Sequence, residues 1–397
     1  MLETINSGDT AWILISTALV FLMVPGFVFF YGGLFPRKNL LTILILCFMM
    51  VCLVSLQWVL FGYSLAFGPD HNGWIGTLAW AGLRGVGGEP NLEYAGTIPH
   101  QAFMIYHLIA AVIAPVILLS AFAERIKLGS LCVFTLLWTA LVYDPIAHWV
   151  WGVGGFLRYA GVLDWAGGTV VHLNAGISAL AMILVLGKSP EPSPSGSLSS
   201  NIPFAALGAG LLWFGWFGLN AGNALSAGAL AGSVLVVTQI SPAAAGLTWS
   251  LLDRLVHQKL TPLGIMTGAV AGLVAISPAA GFVSVWGAMG IGVGAGIVSY
   301  AALALLEKKF GYDDSFYTLA VFGAEGIWGM MATGLWASKN INSSGADGLF
   351  QGSPGQLLIQ LKATLATTIY AFGMSYLILK IIDYVIGLRV SEQSSQN

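Results

Sequence analysis

The chain has 397 residues, of which 57% are hydrophobic and 8% charged, with a mean hydropathy of +0.83 and a formal net charge of −2. Soluble domains carry roughly 25% charged residues, so water is not the main solvent of this chain. The absence of a basic stripe excludes a nucleic-acid platform. The 51 glycines suit helices whose backbones approach closely in lipid.

The first residues lack the basic start and small-residue cleavage site of a signal peptide, so the apolar run from Trp12 is expected to be retained as a membrane helix. Runs long enough to span a bilayer can be drawn near 10–32, 40–67, 101–122, 129–147, 167–187, 202–221, 226–250, 262–278, 280–306, 315–336 and 357–386. The expectation is an all-α integral membrane fold of eleven transmembrane helices in one domain, residues 1–397. Two five-helix halves, 10–187 and 202–336, are joined by the Ser- and Pro-rich loop Ser189–Ser200 and followed by a final long helix and a short tail, 387–397. Halves of five spans each run in opposite directions, the inverted-repeat plan that places substrate sites near the membrane midplane. The stretch 68–100 reads as an outer loop without a fold of its own.

Basic residues set the orientation. With the N-terminus outside, the inner side holds Arg37, Lys38, Arg125, Lys127, Lys188, Arg254, Lys259, Lys308, Lys309 and Arg389, while Arg84, Arg158 and Lys339 lie outside. Lys362 and Lys380 flank the last span and can snorkel from either end. The protein therefore belongs in a cell (inner) membrane with a cytoplasmic C-terminus. Cys47, Cys52 and Cys132 lie within apolar runs at no metal-ligand or disulfide spacing and read as buried thiols.

Few polar groups fall inside the spans, and each is costly enough to be a functional candidate. They are His107, Asp144, His148, Asp164, His172 and Glu325. Asp164 opens a helix, where its carboxylate can cap free backbone donors or hold an outer mouth in shape. His172 reads either as a structural histidine or as a pore group. Glu325, flanked by glycines in the tenth run, must be paired, protonated or wetted. If the fifth and tenth spans are equivalent, His172 and Glu325 lie at similar depth and can form a pair sharing one proton. Trp149 and Trp151 suit an interfacial belt, and a tryptophan at a mouth can also hold a cation on its ring face. No zinc-protease, redox-dithiol, phosphate-loop or nucleophile-elbow pattern is present, so no enzyme, cofactor or metal is expected.

Six collinear motifs carry a resemblance. They are Gly8-Asp9-Thr10-Ala11-Trp12, the run from Pro25 to Leu34, Ala123-Glu124-Arg125-Ile126, the run from Asp164 to Gly176, the run from Gly215 to Gly222, and Gly387-Leu388-Arg389-Val390. Together the chain resembles the Amt/Mep/Rh ammonium transporter family over its whole length. The resemblance implies a homotrimer with one narrow pore per subunit, an aromatic vestibule for ammonium, two gating phenylalanines and two facing pore histidines.

Carried onto this sequence, it makes Trp151 the vestibule tryptophan, Asp164 the structural aspartate and His172 the first pore histidine. It also implies departures from the pattern. Glu325 stands for the second histidine, Ala110 for the outer gate with Tyr106 one turn away, Leu219 for the inner gate, and Asn223 for a vestibule serine. The stretch after Asp313-Asp314 is about three residues longer than usual, which loosens the alignment there.

The function implied is ammonium or ammonia transport, a cytoplasmic nitrogen-signalling protein being a possible partner. The alternative is an ammonium sensor with an altered pore. A neutral-gas channel fits less well, because Trp151 and Asp164 suit a cation.

Overall fold

The computed structural model describes residues 5–34, 40–122, 125–187, 201–310 and 315–390. Arg37, Lys38, Lys188, the Ser189–Ser200 loop, Asp313-Asp314 and the tail beyond 390 lie outside the described residues.

Nine helical segments are long and apolar enough to cross a membrane: Ser7–Leu34, Leu40–Phe67, His100–Ala121, Leu128–Tyr159, Gly168–Leu186, Ile202–Gly222, Ala229–His257, Val285–Phe310 and Pro354–Val385. Pro262–Ile276 is a shorter apolar helix, and the continuous helical run 315–336 completes a bundle of eleven. These are called here the first to eleventh spans in chain order. The expected runs match, with shifts of up to seven residues at their ends, except that the fourth continues to Tyr159, twelve beyond its expected end.

Local chemistry sets several ends. Thr261 caps the eighth span by accepting from the Gly264 amide at 3.1 Å, and Pro262 follows at the first helical position, where its missing N–H costs nothing. Lys308 and Lys309 close the ninth span, where cations oppose the helix dipole favourably.

Burial separates the spans. The most apolar stretch of the third span is 94% buried and that of the fifth 83%, against 28% for the ninth. The third and fifth spans therefore run through the centre, and the ninth lies at the periphery.

Four spans contain π-helical turns: Trp58–Gly62, Thr139–Tyr143, Gly168–Leu173 and Leu319–Gly323. Such turns insert a residue into the helical ladder and recur at functional sites. Those of the fifth and tenth spans meet at the centre. A Cβ on Gly176 would lie 2.2 Å from the Gly323 backbone, and one on Gly326 would lie 2.7 Å from Leu173. The two contacts exchange under the mapping 173 to 323 and 176 to 326, the reciprocal pattern of a local two-fold axis.

Outside the bundle, the stretch 68–99 folds over one end with a short hairpin, Asp70–His71 against Ile75–Gly76. At the other end Ile126 bridges Arg389, and the Lys127 amide donates to the Leu388 carbonyl at 2.8 Å.

Candidate ammonium vestibule and central chamber

A cavity of about 270 Å³ opens where the third and fourth spans meet the loops, at the end of the bundle expected to face outward. Trp151, Asp164 and Asn223 all line it, together with Phe103, His107 and Arg158.

Asp164 organises this mouth. One carboxylate oxygen accepts from the Gly167 and Gly168 amides at 2.9 and 2.6 Å, and the other accepts from the Thr169 amide at 2.8 Å and from the Thr169 hydroxyl. These donors are the free N–H groups that begin the fifth span. Burial pushes the Asp164 carboxyl above its ordinary value, while the four donors pull it back down. Its own carbonyl accepts from the Trp151 indole at 2.9 Å, which fixes the plane of that ring. Gly167, at φ 95°, lets the chain turn into the helix. Capping and shaping of the mouth are thus the same contact set.

Asn223 is oriented by chemistry. Its amide nitrogen donates to the Trp165 carbonyl at 2.7 Å, so its oxygen is the atom left for the cavity. Arg158 is exposed, donates to the Trp151 carbonyl and lies 5.7 Å above the Tyr94 ring.

A second histidine clamps the lid. His148 has Nδ1 at 3.0 Å from the Ala66 carbonyl and Nε2 at 2.9 Å from Asp70. The two contacts tie the fourth span to the stretch 68–99 and to the end of the second span. Partial burial alone would raise the Asp70 carboxyl. The hydrogen bond from His148, the Gly73 amide and the charges of His148 and His71 bring it below its ordinary value.

Below the cavity, Tyr106 is buried, and its hydroxyl donates to the Leu219 and Gly218 carbonyls at 2.5 and 3.1 Å. Expected as a substrate contact, it is instead a strut between the third and sixth spans and does not line the cavity. Ala110 and Leu219 are both buried on those spans, at 3% and 2% exposure, and neither supplies a ring at a gate.

His172 lies deeper, fully buried, with no hydrogen-bond partner on either ring nitrogen. Trp216 stacks on it at 5.4 Å and 27° between planes, held by its indole donating to the Ser277 hydroxyl at 2.8 Å. On another side stands Phe322, 6.1 Å away, followed by Phe27 at 5.9 Å from Phe322 and Tyr31 at 5.6 Å from Phe27. His172 is thus flanked by the aromatic rings of Trp216 and Phe322.

The expected pairing of His172 with Glu325 is not formed, and this corrects the alignment. Glu325 is fully buried, but one oxygen accepts from the Ser299 hydroxyl at 2.6 Å and the other has no partner. Ser299 belongs to the ninth span, so the hydrogen bond ties the carboxylate to that helix. The tenth-span side chain in ring contact with His172 is Phe322. His172 stands two residues before the α-helical part of the fifth span, which starts at Asn174, and Phe322 two residues before that of the tenth, which starts at Ala324.

Two site residues escaped the sequence reading. Phe322 was legible: aligning Gly176-Ile177 with Gly326-Ile327 sets His172 opposite Phe322 and Glu325 opposite Ala175. His107 was noted as a polar group without a role, and its place in the cavity depends on tertiary packing. Among the described residues no His, Cys, Asp and Glu group gathers as a metal centre.

Comparison with known proteins matches residues 11–397 to the family model described as Ammonium Transporter Family. The ammonium transporter Amt1 of Archaeoglobus fulgidus is 45% identical over 388 residues, covering 98% of this chain and 95% of that protein. The crystal structure of Saccharomyces cerevisiae Mep2 superposes with a TM-score of 0.90 at 32% identity, covering 98% of this chain and 88% of Mep2. A solved structure described as a sensor Amt protein gives 0.88 at 27% identity, covering 98% and 96%.

Proposed function

Because the chain belongs to the Ammonium Transporter Family, a family of membrane transport proteins and not of enzymes, we propose that it moves ammonium nitrogen across the membrane through a pore in each subunit of a homotrimer. The observation that carries this reading is His172, buried in the bundle with neither ring nitrogen paired. Buried polar groups are almost always hydrogen-bonded, and an unpaired one costs about 1–3 kcal/mol. A neutral imidazole has one donor and one acceptor, which a passing ammonia molecule can meet in turn.

Physical chemistry divides the task. The outer cavity has a tryptophan face and polar acceptors suited to a cation. The chamber has aromatic walls, in which a bare cation would be uncompensated whereas neutral ammonia pays only the desolvation of a small polar group. Ammonium is therefore captured at Trp151 and Asn223, gives up a proton to solvent at the open cavity, and passes Ala110 and Leu219 to His172 as ammonia. The reading includes two inverted five-span halves, an outer N-terminus, a cytoplasmic C-terminus in the cell (inner) membrane, and an inner face open to a nitrogen-signalling protein. The positive-inside bias and the docking of Leu388 beside Lys127 support these points.

The test is ammonium flux into proteoliposomes of purified protein, read by labelled methylammonium uptake and by current. Flux no greater than in protein-free vesicles would reject transport.

A second reading, ammonium sensing with little or no transport, is favoured by Phe322, whose ring puts carbon opposite His172, and by the similarity to the sensor Amt protein. Saturable ammonium binding without flux would select it.

A further inference from the structure

His107 lies on the wall of the outer cavity and has a determined tautomer. Its Nδ1 is 3.0 Å from the Phe103 carbonyl of its own helix, an oxygen that can only accept, so Nδ1 carries the hydrogen. In the neutral ring Nε2 then holds a lone pair. No protein group bonds Nε2, yet it is not among the sealed unpaired atoms of the interior, so it opens on the cavity that His107 lines.

Packing fixes where that lone pair can point. Phe103 lies against the ring at 4.2 Å between centroids, Phe67 at 4.7 Å, Tyr106 at 5.3 Å and Trp151 at 5.8 Å. Four aromatic neighbours leave the imidazole little freedom to turn. The charged groups on the same wall do not favour a second proton on the ring, since Arg158 is a cation and Asp164 spends its carboxylate on its own helix. Asn223 offers its oxygen to the same space.

We propose that His107 is a specificity-determining residue of the outer cavity, its Nε2 accepting an N–H of the bound cation and, with Asn223, selecting ammonium over cations that carry no N–H. The inference rests on the reading of this cavity as an ammonium site and adds the group that discriminates within it. A tryptophan face attracts any cation of suitable size by its quadrupole and separates ammonium poorly from potassium or a quaternary amine. A fixed, directional acceptor separates them, because only ammonium can donate to it.

The experiment compares the parent protein with His107→Phe, which keeps an aromatic ring and removes the acceptor, and His107→Gln, which restores an acceptor oxygen. Binding of ammonium, potassium and tetramethylammonium chlorides is titrated by tryptophan fluorescence on purified protein. The ammonium-to-potassium affinity ratio should fall about tenfold or more in His107→Phe, the scale of a lost hydrogen bond to a charged group. Tetramethylammonium affinity should stay at the parent value, and His107→Gln should recover most of the ratio.

An unchanged ratio in His107→Phe would overturn the proposal. So would a parallel loss of tetramethylammonium, which would make His107 a packing residue. Flux measured on the same preparations keeps the two readings apart. Selective binding with no flux rejects transport and leaves this inference standing, while flux with an unchanged ratio does the reverse.

Discussion

His172 in the fifth span and Phe322 in the tenth stand at the same step of two π-helical turns, packed about a local two-fold axis, and they differ in all their chemistry. One is an imidazole with both nitrogens unpaired, the other a phenyl ring. The repeated backbone therefore supplies the depth and direction of a side chain, while the residue placed there decides whether the chamber has one polar group or two. Glycine marks the shared part: Gly176 and Gly326 admit no Cβ where the turns touch.

Removing the anchor of one turn should have the largest effect. Asp164→Ala would leave three buried amides and the Thr169 hydroxyl without their acceptor, a loss of at least about 3 kcal/mol. Thermal unfolding in detergent should show a markedly lower midpoint, and an unchanged midpoint would mean that the turn holds without its cap.

Making the two turns alike comes next. His172→Phe puts carbon on both sides and should lower ammonium flux by about tenfold or more, as expected when a desolvated polar molecule loses its partner. Phe322→His puts imidazole on both sides and should raise flux about three- to tenfold by the same interaction. Stopped-flow uptake into vesicles measures both, and opposite signs are the requirement.

Glu325→Gln should do least to the chamber. Its oxygen can still accept from Ser299, so flux should stay within about twofold and stability within about 1 kcal/mol of the parent. A large change in flux would return the carboxylate to the pore and undo the alignment through Phe322.

The lid provides a pH control. Asp70 has a lowered carboxyl, so its contribution is present above the ordinary carboxylate value and is lost as the pH falls through the still lower folded value. Hydrogen exchange in the 70–76 hairpin should accelerate at acid pH in the parent. Asp70→Asn should remove that pH dependence while leaving the contrast between His172 and Phe322 intact.

Much of this was legible in the residues themselves. The eleven spans follow from unbroken apolar runs, because lipid cannot satisfy backbone polar groups and each run must close its own hydrogen bonds. Asp164, Trp151 and His172 stood out because polar and amphipathic side chains are rare in such runs. Glu325 stood out for the same reason, but its partner is not the His172 that was expected. A carboxylate needs a partner, and its partner Ser299 lies 26 residues earlier, on a helix whose facing side no local pattern reveals.

The sequence by itself determined the membrane solvent, the number of spans and the family likeness, since these depend on composition and on the order of short motifs. Tertiary structure alone decided which polar groups line the cavity and which are tied off. Helix rotation and the added residue of each π turn set the direction of every side chain after them. Three residues along the tenth span separate Phe322, against the ring of His172, from Glu325, bonded to the hydroxyl of Ser299.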